Sequence, residues 1–102
     1  MFQPDISPHV SETIRRFPPD LKRSIKAAVR ALCLNPNEGA PLVKELEGLW
    51  KYRVRRFRIV YAIDRRRKVI RVMAIGHRRT VYEEVIAHFP MPREGKFPSK
   101  GR

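Results

Sequence analysis

The stretch WKYRVRRFRIVYAIDRRRKVIRVMAIGHRR, residues 50–79, carries the clearest strand pattern of this 102-residue chain. Aromatic and β-branched residues alternate in it with arginines, and this period of two is typical of strands that are buried on one face. We predict three strands, at Trp50–Arg55, Phe57–Asp64 and Val69–Gly76. Because only short segments separate them, consecutive strands would pair as antiparallel hairpins.

The first predicted hairpin sorts its side chains onto two faces. With a turn at residues 55–56, Arg53 lies opposite Arg58, because successive side chains point to opposite sides of a sheet. One face is then apolar and would pack on helices: Trp50, Tyr52, Val54, Phe57, Ile59, Tyr61 and Ile63. The other face collects Lys51, Arg53 and Arg58. A slip of one residue would exchange the two faces, so the register is well specified.

The second predicted hairpin, which closes over residues 65–68, brings a third arginine toward the first two. It places Arg58 opposite Ile75, and Arg78 follows Ile75 by three residues, so Arg53, Arg58 and Arg78 would converge at one end of the sheet. Like charges that lie directly opposite each other destabilise a sheet. The cluster therefore indicates either a solvated polar face or an anion site, and the lack of an acidic sheet neighbour favours the anion site.

Positive charge is concentrated in the same part of the sequence. Residues 51–80 hold twelve Lys or Arg and one acidic residue, so they carry +11 of the chain's net +13. A basic surface of this density usually binds a polyanion, which can be a nucleic acid or an acidic protein.

The segments before and after this stretch predict helices. Ser7 can cap a helix that begins at Pro8, and a second helix runs from about Pro19 to Leu34 with apolar residues along one face. Two helices joined so closely form an antiparallel hairpin. A final helix begins near Thr80, where the sequence TVYE has the form of a capping box.

Three other segments complete the predicted organisation of the chain. Residues 2–6 read as a short edge strand, and residues 42–48 as a short strand or extended lead-in. Residues 90–102 form a basic tail rich in proline and glycine, which we expect to be largely disordered. Residues 1–89 then make up a single domain.

Composition excludes several classes of protein. No apolar run approaches the roughly 18 residues of a membrane span, and we expect no secretory peptide in MFQPDISPHV. Cys33 is the only cysteine, so it cannot form an internal disulfide. We expect it to be a small apolar residue within a helix. The acidic residues show no metal-ligand spacing. We therefore expect a cytoplasmic protein that uses no metal or cofactor.

Taken together, three motifs resemble the RelE/ParE family of type II toxin components. They are LEGLWKYRVRRFRIVYAID at residues 46–64, VIRVMAIGHRRTVYEEV at residues 69–85, and the helical hairpin that ends in LNP. None of the short pieces is specific alone, but their combination is. The resemblance covers roughly residues 6–89.

This resemblance implies an α+β fold, with an N-terminal helical hairpin packed on a twisted antiparallel sheet of three to five strands and a short C-terminal helix. It also implies a partner antitoxin that wraps the toxin and blocks it. Toxins of the RelE branch are ribonucleases that cut mRNA, typically in the ribosomal A site, whereas those of the ParE branch poison DNA gyrase. We favour the endoribonuclease, and keep a gyrase inhibitor or an inactive homologue as the alternative.

Four positions match functional positions of the family. Arg58 matches the arginine of its (Tyr/Phe)-Arg strand, Arg78 the arginine after Gly-His, and Tyr82 the tyrosine that follows. Arg53 lies where RelE nucleases use lysine. The sequence departs from the family at residues 55–56, where relatives often have Gly-Asp or Gly-Asn, and in a shorter spacing before Tyr82. The hairpin turn at 55–56 would therefore be longer or strained, since such turns favour residues that tolerate positive φ.

Metal-free RNA cleavage needs a base for the 2′-hydroxyl, stabilisation of the pentavalent phosphoryl group, and a proton for the leaving 5′ oxygen. Arg58 and Arg78 are candidates for the stabilising charge, because a guanidinium presents a fixed fork to phosphate. Tyr82 is the candidate base, and its alternative role is a rim aromatic that stacks on a nucleobase or merely packs. His77 is a second candidate for proton transfer, since an imidazole titrates near neutral pH. The RNA backbone would be held by the remaining cations: Lys51, Arg53, Arg55, Lys68 and Arg71.

Overall fold

Three α-helices and five strands build residues 1–88, the part of the chain that the computed structural model describes. Their order is β1 (Gln3–Ile6), α1 (Pro8–Arg15), α2 (Pro19–Leu34), β2 (Ala40–Pro41), β3 (Trp50–Val54), β4 (Phe57–Asp64), β5 (Val69–His77) and α3 (Val81–His88). Two short 3-10 turns, Pro36–Glu38 and Lys44–Leu46, lie between α2 and β3. None of the helices in residues 1–88 is long and apolar enough to cross a membrane. The predicted tail at residues 90–102 lies outside the described residues.

The strands form one sheet in the order β1-β5-β4-β3-β2. Neighbours from β2 to β5 are antiparallel, whereas β1 lies parallel to β5. The predicted α+β fold class is confirmed, and the predicted strand at residues 2–6 becomes the parallel edge of the sheet. The strand or extended lead-in predicted at residues 42–48 is wrong, because Lys44–Leu46 forms a 3-10 turn whose Leu46 packs into an apolar cluster.

The helical hairpin begins and ends where the sequence predicts. Ser7 Oγ accepts a hydrogen bond from the Val10 N–H at 3.3 Å, which caps α1 just before Pro8. One stripe of α2 is buried against the apolar face of the sheet: Leu21, Ile25, Ala28, Val29, Leu32 and Cys33. Cys33 therefore fills the core of the molecule, as expected from its position in an amphipathic helix.

The register of β3 against β4 is confirmed. Arg53 lies opposite Arg58, and the hairpin is closed by the two residues Arg55 and Arg56. Arg55 has a φ of 57°, a left-handed conformation that costs a non-glycine residue roughly 1 kcal/mol. The turn thus keeps its two-residue length at the expense of strain at Arg55.

The register of β4 against β5 differs from the prediction by one residue over half of the hairpin. Arg58 lies opposite Gly76 rather than Ile75, because a β-bulge leaves Met73 without a partner on β4. Bulges add one residue to a strand and re-aim the side chains beyond them. Here the bulge turns Gly76, which has no side chain, onto the same face as Arg58.

A second and smaller core lies on this face, beneath α3. Val81 and Val85 of α3 are fully buried against Leu49, Val60 and Ala74. The partly buried residues around them are Leu42, Leu46, Ala62, Met73 and Tyr82. The face opposite α1 and α2 is therefore covered by α3 at its middle and is cationic only toward its ends.

Tyr61, which is fully buried in β4, ties the loop after α2 to the sheet. Its hydroxyl donates a hydrogen bond to the Pro36 carbonyl at 2.8 Å and accepts one from the Gly39 N–H at 3.2 Å. A Cβ on residue 39 would clash with the Lys51 carbonyl oxygen and would lie 2.5 Å from the Tyr61 hydroxyl oxygen. Only glycine permits this close approach of the loop to β3.

The stability of the fold is expected to fall at alkaline pH because of Tyr61. Burial raises the pKa of Tyr61 to about 12, against about 10 in an unfolded chain. Between these values the unfolded chain releases the phenolic proton first, so unfolding becomes more favourable as pH rises, by up to about 3 kcal/mol. Urea unfolding at pH 8 to 12 measures this loss. A Tyr61→Phe variant should be less stable at pH 8 and should show a smaller further loss; an equal loss in both proteins would contradict the assignment.

Candidate functional site

An open cavity of about 370 Å³ lies where the edge of the sheet meets the loop after α2. Its lining residues come from that loop, from β2, from β3 and from β4: Glu38, Gly39, Ala40, Lys51, Tyr52, Arg53 and Arg58. Three of these side chains are cations and one is an acid. A concave surface lined mainly by one sign of charge concentrates ligands of the opposite sign, so the cavity suits an anion.

Arg58 is a half-buried cation that takes part in no ion pair within residues 1–88. Its Nη1 donates a hydrogen bond to the Tyr82 hydroxyl at 3.1 Å. Its Nε is fully buried and has no hydrogen-bond partner in the described part of the chain. Enclosing a charge without an opposite charge costs free energy, so an anion in the cavity would stabilise this arrangement.

Arg53 occupies the other side of the cavity. It is exposed and lies directly opposite Arg58 across the β3–β4 hairpin. Arg53 Nε donates to the Arg55 carbonyl at 3.1 Å, which holds Arg53 against the turn, whereas Arg58 is held against α3. The two side chains make separate contacts and line the same cavity, so a ligand in the cavity would meet both. Arg55 contributes its carbonyl to this arrangement and is not among the lining residues of the cavity.

Tyr82 reaches Arg58 because α3 docks closely on the sheet. Gly76 lies opposite Arg58 and beneath α3, where a Cβ would lie 3.3 Å from Glu84 Oε1 and 3.5 Å from Val81 Cβ. Glu84 also accepts a hydrogen bond from His9 Nε2 at 2.9 Å, which connects α3 to α1. Since the Tyr82 oxygen accepts from a guanidinium, its own proton remains available to a third group.

His77 lies away from this cavity. It pairs with Phe57 at the end of the sheet, and its ring stands edge-on to the Phe57 ring with centroids 6.4 Å apart. Its Nδ1 accepts a hydrogen bond from the Arg79 N–H at 3.3 Å. The structure therefore does not bring His77 to Arg58, since the two point to opposite faces of the sheet.

Arg78 is exposed in the turn between β5 and α3. Its backbone N–H donates to the Arg56 carbonyl at 3.2 Å, so the chain at this point still follows the end of the β3–β4 hairpin. Arg78 is not among the residues that line the cavity. The predicted convergence of three arginines is thus seen for Arg53 and Arg58, while Arg78 stays outside.

Arg71 and Lys68 lie at the far end of the sheet. Arg71 Nη2 is 3.4 Å from Asp64 Oδ2, and its Nε is 3.9 Å from Asp5 Oδ2. Lys68 lies in the turn between β4 and β5. Asp64 lies six positions after Arg58 along β4, a distance of about 20 Å. Arg71 and Lys68 therefore do not extend the cavity, and Arg71 has acidic partners of its own.

Four residues of the cavity lining were not among the predicted site residues: Glu38, Gly39, Ala40 and Tyr52. The alternation of side chains placed Tyr52 on the apolar face, and the other three residues lie outside the predicted strands and helices. The signal for the loop was Gly39, since a glycine often marks a close backbone approach. Tyr52 is partly buried against the main core and also lines the cavity at the edge of the sheet. Within residues 1–88, no group of three His, Cys, Asp or Glu side chains could hold a metal ion.

The sequence matches one family model, described as the ParE toxin of type II toxin-antitoxin system, parDE, over residues 5–82. This span begins in β1 and ends at the tyrosine of α3 that contacts Arg58. Comparison with curated protein sequences gives no significant match.

Solved toxin structures have a similar fold. The RelBE2 toxin–antitoxin complex from Mycobacterium tuberculosis aligns with a TM-score of 0.68 and 23% identity, over 76% of this chain and 98% of that chain. A mutant of the E. coli toxin RelE in the free state aligns with a TM-score of 0.71 and 17% identity, over 86% of this chain and 97% of that chain. The RelE–RelB complex from Pyrococcus horikoshii OT3 gives a TM-score of 0.64 and 18% identity, over 76% and 94%. At these identities the likeness shows the fold alone.

Proposed function

The chain belongs to the ParE toxin family of type II toxin–antitoxin systems, and we propose that this toxin cleaves mRNA without a metal ion. The cleavage site is the cavity of Lys51, Arg53 and Arg58, beside Tyr82. Acting in the cytoplasm, and on mRNA held by the ribosome, the protein would repress translation.

One observation carries this proposal: Arg58 is a half-buried cation that faces a cationic cavity and has no acidic partner within residues 1–88. A protein that used Arg58 only for its fold would be expected to pair it, as Arg71 is paired with Asp64. Phosphate fits the fork of a guanidinium better than it fits other cations, because two N–H groups can donate in parallel. The contact with Tyr82 adds a group that can transfer a proton at the same place.

The proposed reaction is an attack of the 2′-oxygen on the adjacent phosphorus. Tyr82 takes the proton of the 2′-hydroxyl and releases its own phenolic proton to solvent, and the P–O5′ bond breaks as the 2′-oxygen bonds to phosphorus. The departing 5′ oxygen takes a proton from solvent, which leaves a 2′,3′-cyclic phosphate and a 5′-hydroxyl. Arg58 and Arg53 stabilise the charge that gathers on the phosphoryl oxygens, the kind of stabilisation that contributes most to many enzyme rates. Lys51 holds the neighbouring backbone, and Arg78, which lies outside the cavity lining, would contact the strand beyond the cavity.

The proposed partner in the cell is an antitoxin of acidic character. The M. tuberculosis and P. horikoshii structures are toxin–antitoxin complexes, and the net charge of +13 on this chain suits an acidic partner. We expect a small acidic protein encoded beside this chain to relieve growth arrest when the two are expressed together. If growth arrest persists when the neighbouring protein is expressed at the same level as this chain, the proposed pairing is contradicted.

A second candidate function is favoured by the family model itself, which is that of ParE. In this alternative the chain inhibits DNA gyrase or is an inactive homologue, and the cationic cavity binds a partner without cutting it. The two functions differ in what the purified protein does to RNA and to supercoiling.

The proposal is tested in a cell-free translation reaction and a gyrase supercoiling reaction run side by side. Purified protein should cut the translated mRNA, and the fragments should carry 5′-hydroxyl ends and cyclic phosphates. Supercoiling should continue at the same protein concentration. Intact mRNA together with inhibited supercoiling would replace the proposal with the gyrase alternative, and no effect in either reaction would indicate an inactive homologue.

A further inference from the structure

Four consecutive cations form the turn between β4 and β5: Arg65, Arg66, Arg67 and Lys68. We call this segment the basic turn. All four residues are exposed. A turn of this kind needs residues that tolerate its backbone angles, and it has no structural need for charge. Four adjacent like charges repel one another, so their presence points to a ligand rather than to the fold.

The acidic groups near the basic turn do not neutralise it. Asp64 directly precedes the turn, but it is only 4% exposed. Its Oδ1 accepts the backbone N–H of Arg67 at 3.1 Å, and its Oδ2 pairs with Arg71 at 3.4 Å. Asp5 also faces Arg71, at 3.9 Å. Within residues 1–88, no ion pair involves a side chain of the basic turn.

Several contacts hold the basic turn in one conformation. The Asp64 hydrogen bond to the Arg67 N–H closes it from inside, and Lys68 takes a left-handed φ of 59°. The Lys68 carbonyl accepts from the Gln3 N–H at 2.9 Å, which fixes the turn to β1. Arg65 Nη2 donates to Asn37 Oδ1 at 3.0 Å. The charges are thus presented on a fixed backbone, which lowers the entropy cost of binding.

The basic turn is separate from the cavity at Arg58. Arg58 and the basic turn lie at opposite ends of β4, about 20 Å apart along the strand, and Arg65 contacts Asn37, which is next to Glu38 in the cavity lining. Between them the same face of the sheet is covered by α3 and its apolar residues, including Val81 and Val85. In the helical geometry of a duplex, a strand carries a phosphate about every 3.4 Å, so about six nucleotides in that geometry span the distance between the two places.

We propose that the basic turn is a second binding site for the phosphodiester backbone of a nucleic acid, used together with the cavity at Arg58. Phosphate is favoured over a protein partner because the turn offers four cations and no apolar side chain, whereas the centre of a protein interface is apolar and aromatic. Two sites on one protein hold a long strand more tightly than either site alone, since the second contact is intramolecular. This inference rests on the proposed function in one respect only, which is the expectation that the nucleic acid is RNA.

Binding is measured with a 30-nucleotide RNA whose 2′-hydroxyls are methylated, so that it cannot be cleaved, and with a DNA of the same sequence. The test variant is Arg66→Gln, Arg67→Gln and Lys68→Asn, since asparagine tolerates left-handed φ. Loss of three phosphate contacts should reduce the slope of log K against log salt by about 2 and weaken binding about 100-fold at 0.1 M salt. RNA and DNA should lose affinity alike if only the backbone is contacted, whereas a loss for RNA alone would mean that the turn reads more than phosphate and would overturn that part of the proposal.

The matched control removes three exposed charges from the helical hairpin: Arg16→Gln, Lys26→Gln and Arg30→Gln. It has the same net charge as the test variant, and we expect it to bind within about threefold of the wild type, since a distant surface charge contributes little at 0.1 M salt. Equal losses in the two variants would overturn the proposal, because the effect would then be one of net charge. Unchanged RNA binding in the test variant would also overturn it, even if binding to an antitoxin changed.

The result is independent of whether the protein is a nuclease. The methylated RNA reports binding alone, so a wild type that binds it but leaves mRNA intact would contradict the proposed function and leave the basic turn supported. Conversely, a test variant that binds as the wild type does, while the wild type cleaves mRNA, would remove the second site and leave the cavity at Arg58 in place.

Discussion

Replacing Arg58 with alanine is expected to lower the rate of mRNA cleavage by about 10² to 10³, the cost of removing one group that stabilises charge in a transition state. Arg58 is held between the cavity and the Tyr82 hydroxyl, so its loss removes both the stabilising charge and the group that orients the tyrosine. Growth arrest on induction of the variant should be lost as well. The rate is measured as the appearance of cut mRNA under single-turnover conditions.

Two further variants separate the role of Arg58 in catalysis from its role in folding. Arg58→Lys keeps the charge and loses the planar fork, so its rate should fall between the rates of the wild type and of Arg58→Ala. Arg16→Ala removes an exposed arginine of the helical hairpin and should cleave as the wild type does. Thermal unfolding of each variant identifies any that fail to fold. If Arg58→Ala folds and cleaves within about threefold of the wild type, Arg58 does not stabilise the reaction.

Replacing Tyr82 with phenylalanine is expected to lower the cleavage rate by about 10² to 10⁴, the usual contribution of a positioned acid or base. Phenylalanine keeps the ring, which packs against the apolar cluster between α3 and the sheet, and it removes only the oxygen that contacts Arg58. Affinity for methylated RNA should therefore change by less than about threefold, because the ring still supplies its stacking surface. The measurement is a pair of assays, one for single-turnover cleavage and one for equilibrium binding.

The alternative role of Tyr82, a rim aromatic that stacks on a base, predicts the opposite pattern. In that case Tyr82→Phe would cleave normally, and Tyr82→Ala would lose RNA affinity. The pH dependence of the rate separates the two roles further. If Tyr82 only packs, Tyr82→Phe should have the pH–rate profile of the wild type, whereas loss of a proton-transfer group should remove one limb of the profile. A Tyr82→Phe variant with the rate and profile of the wild type would remove this residue from the reaction.

The part of the site on the β3–β4 hairpin could be predicted from sequence because it depends on local alternation. The period of two and a two-residue turn together determine that Arg53 lies opposite Arg58, and the apolar face leaves no other register. The same reasoning located α2 and the cap at Ser7, since helical spacing and capping residues act over a few positions. These features need no knowledge of distant contacts.

The remainder of the site depends on tertiary contacts that the alternation of apolar and charged residues does not predict. The bulge at Met73 shifts the end of β5 by one residue, which turns Gly76 toward α3 and lets Tyr82 reach Arg58. The loop that supplies Glu38 and Gly39 to the cavity is placed by the buried hydroxyl of Tyr61, twenty-two positions from Gly39. Sequence spacing also placed Arg78 with the other arginines, whereas the turn before α3 leaves it outside the cavity lining. Each of these outcomes is decided by tertiary packing.

The proposed site depends most on Arg58 as a cation that receives a phosphate, and the arginine side-chain N–H resonances report on this contact. We expect titration with a methylated trinucleotide to shift the Nε–H resonances of Arg58 and Arg53 together, with one saturation curve, because the two line the same cavity. A trinucleotide is too short to reach both this cavity and the basic turn. Saturation of binding with the Arg58 resonance unmoved, while arginines elsewhere shift, would contradict the proposed site.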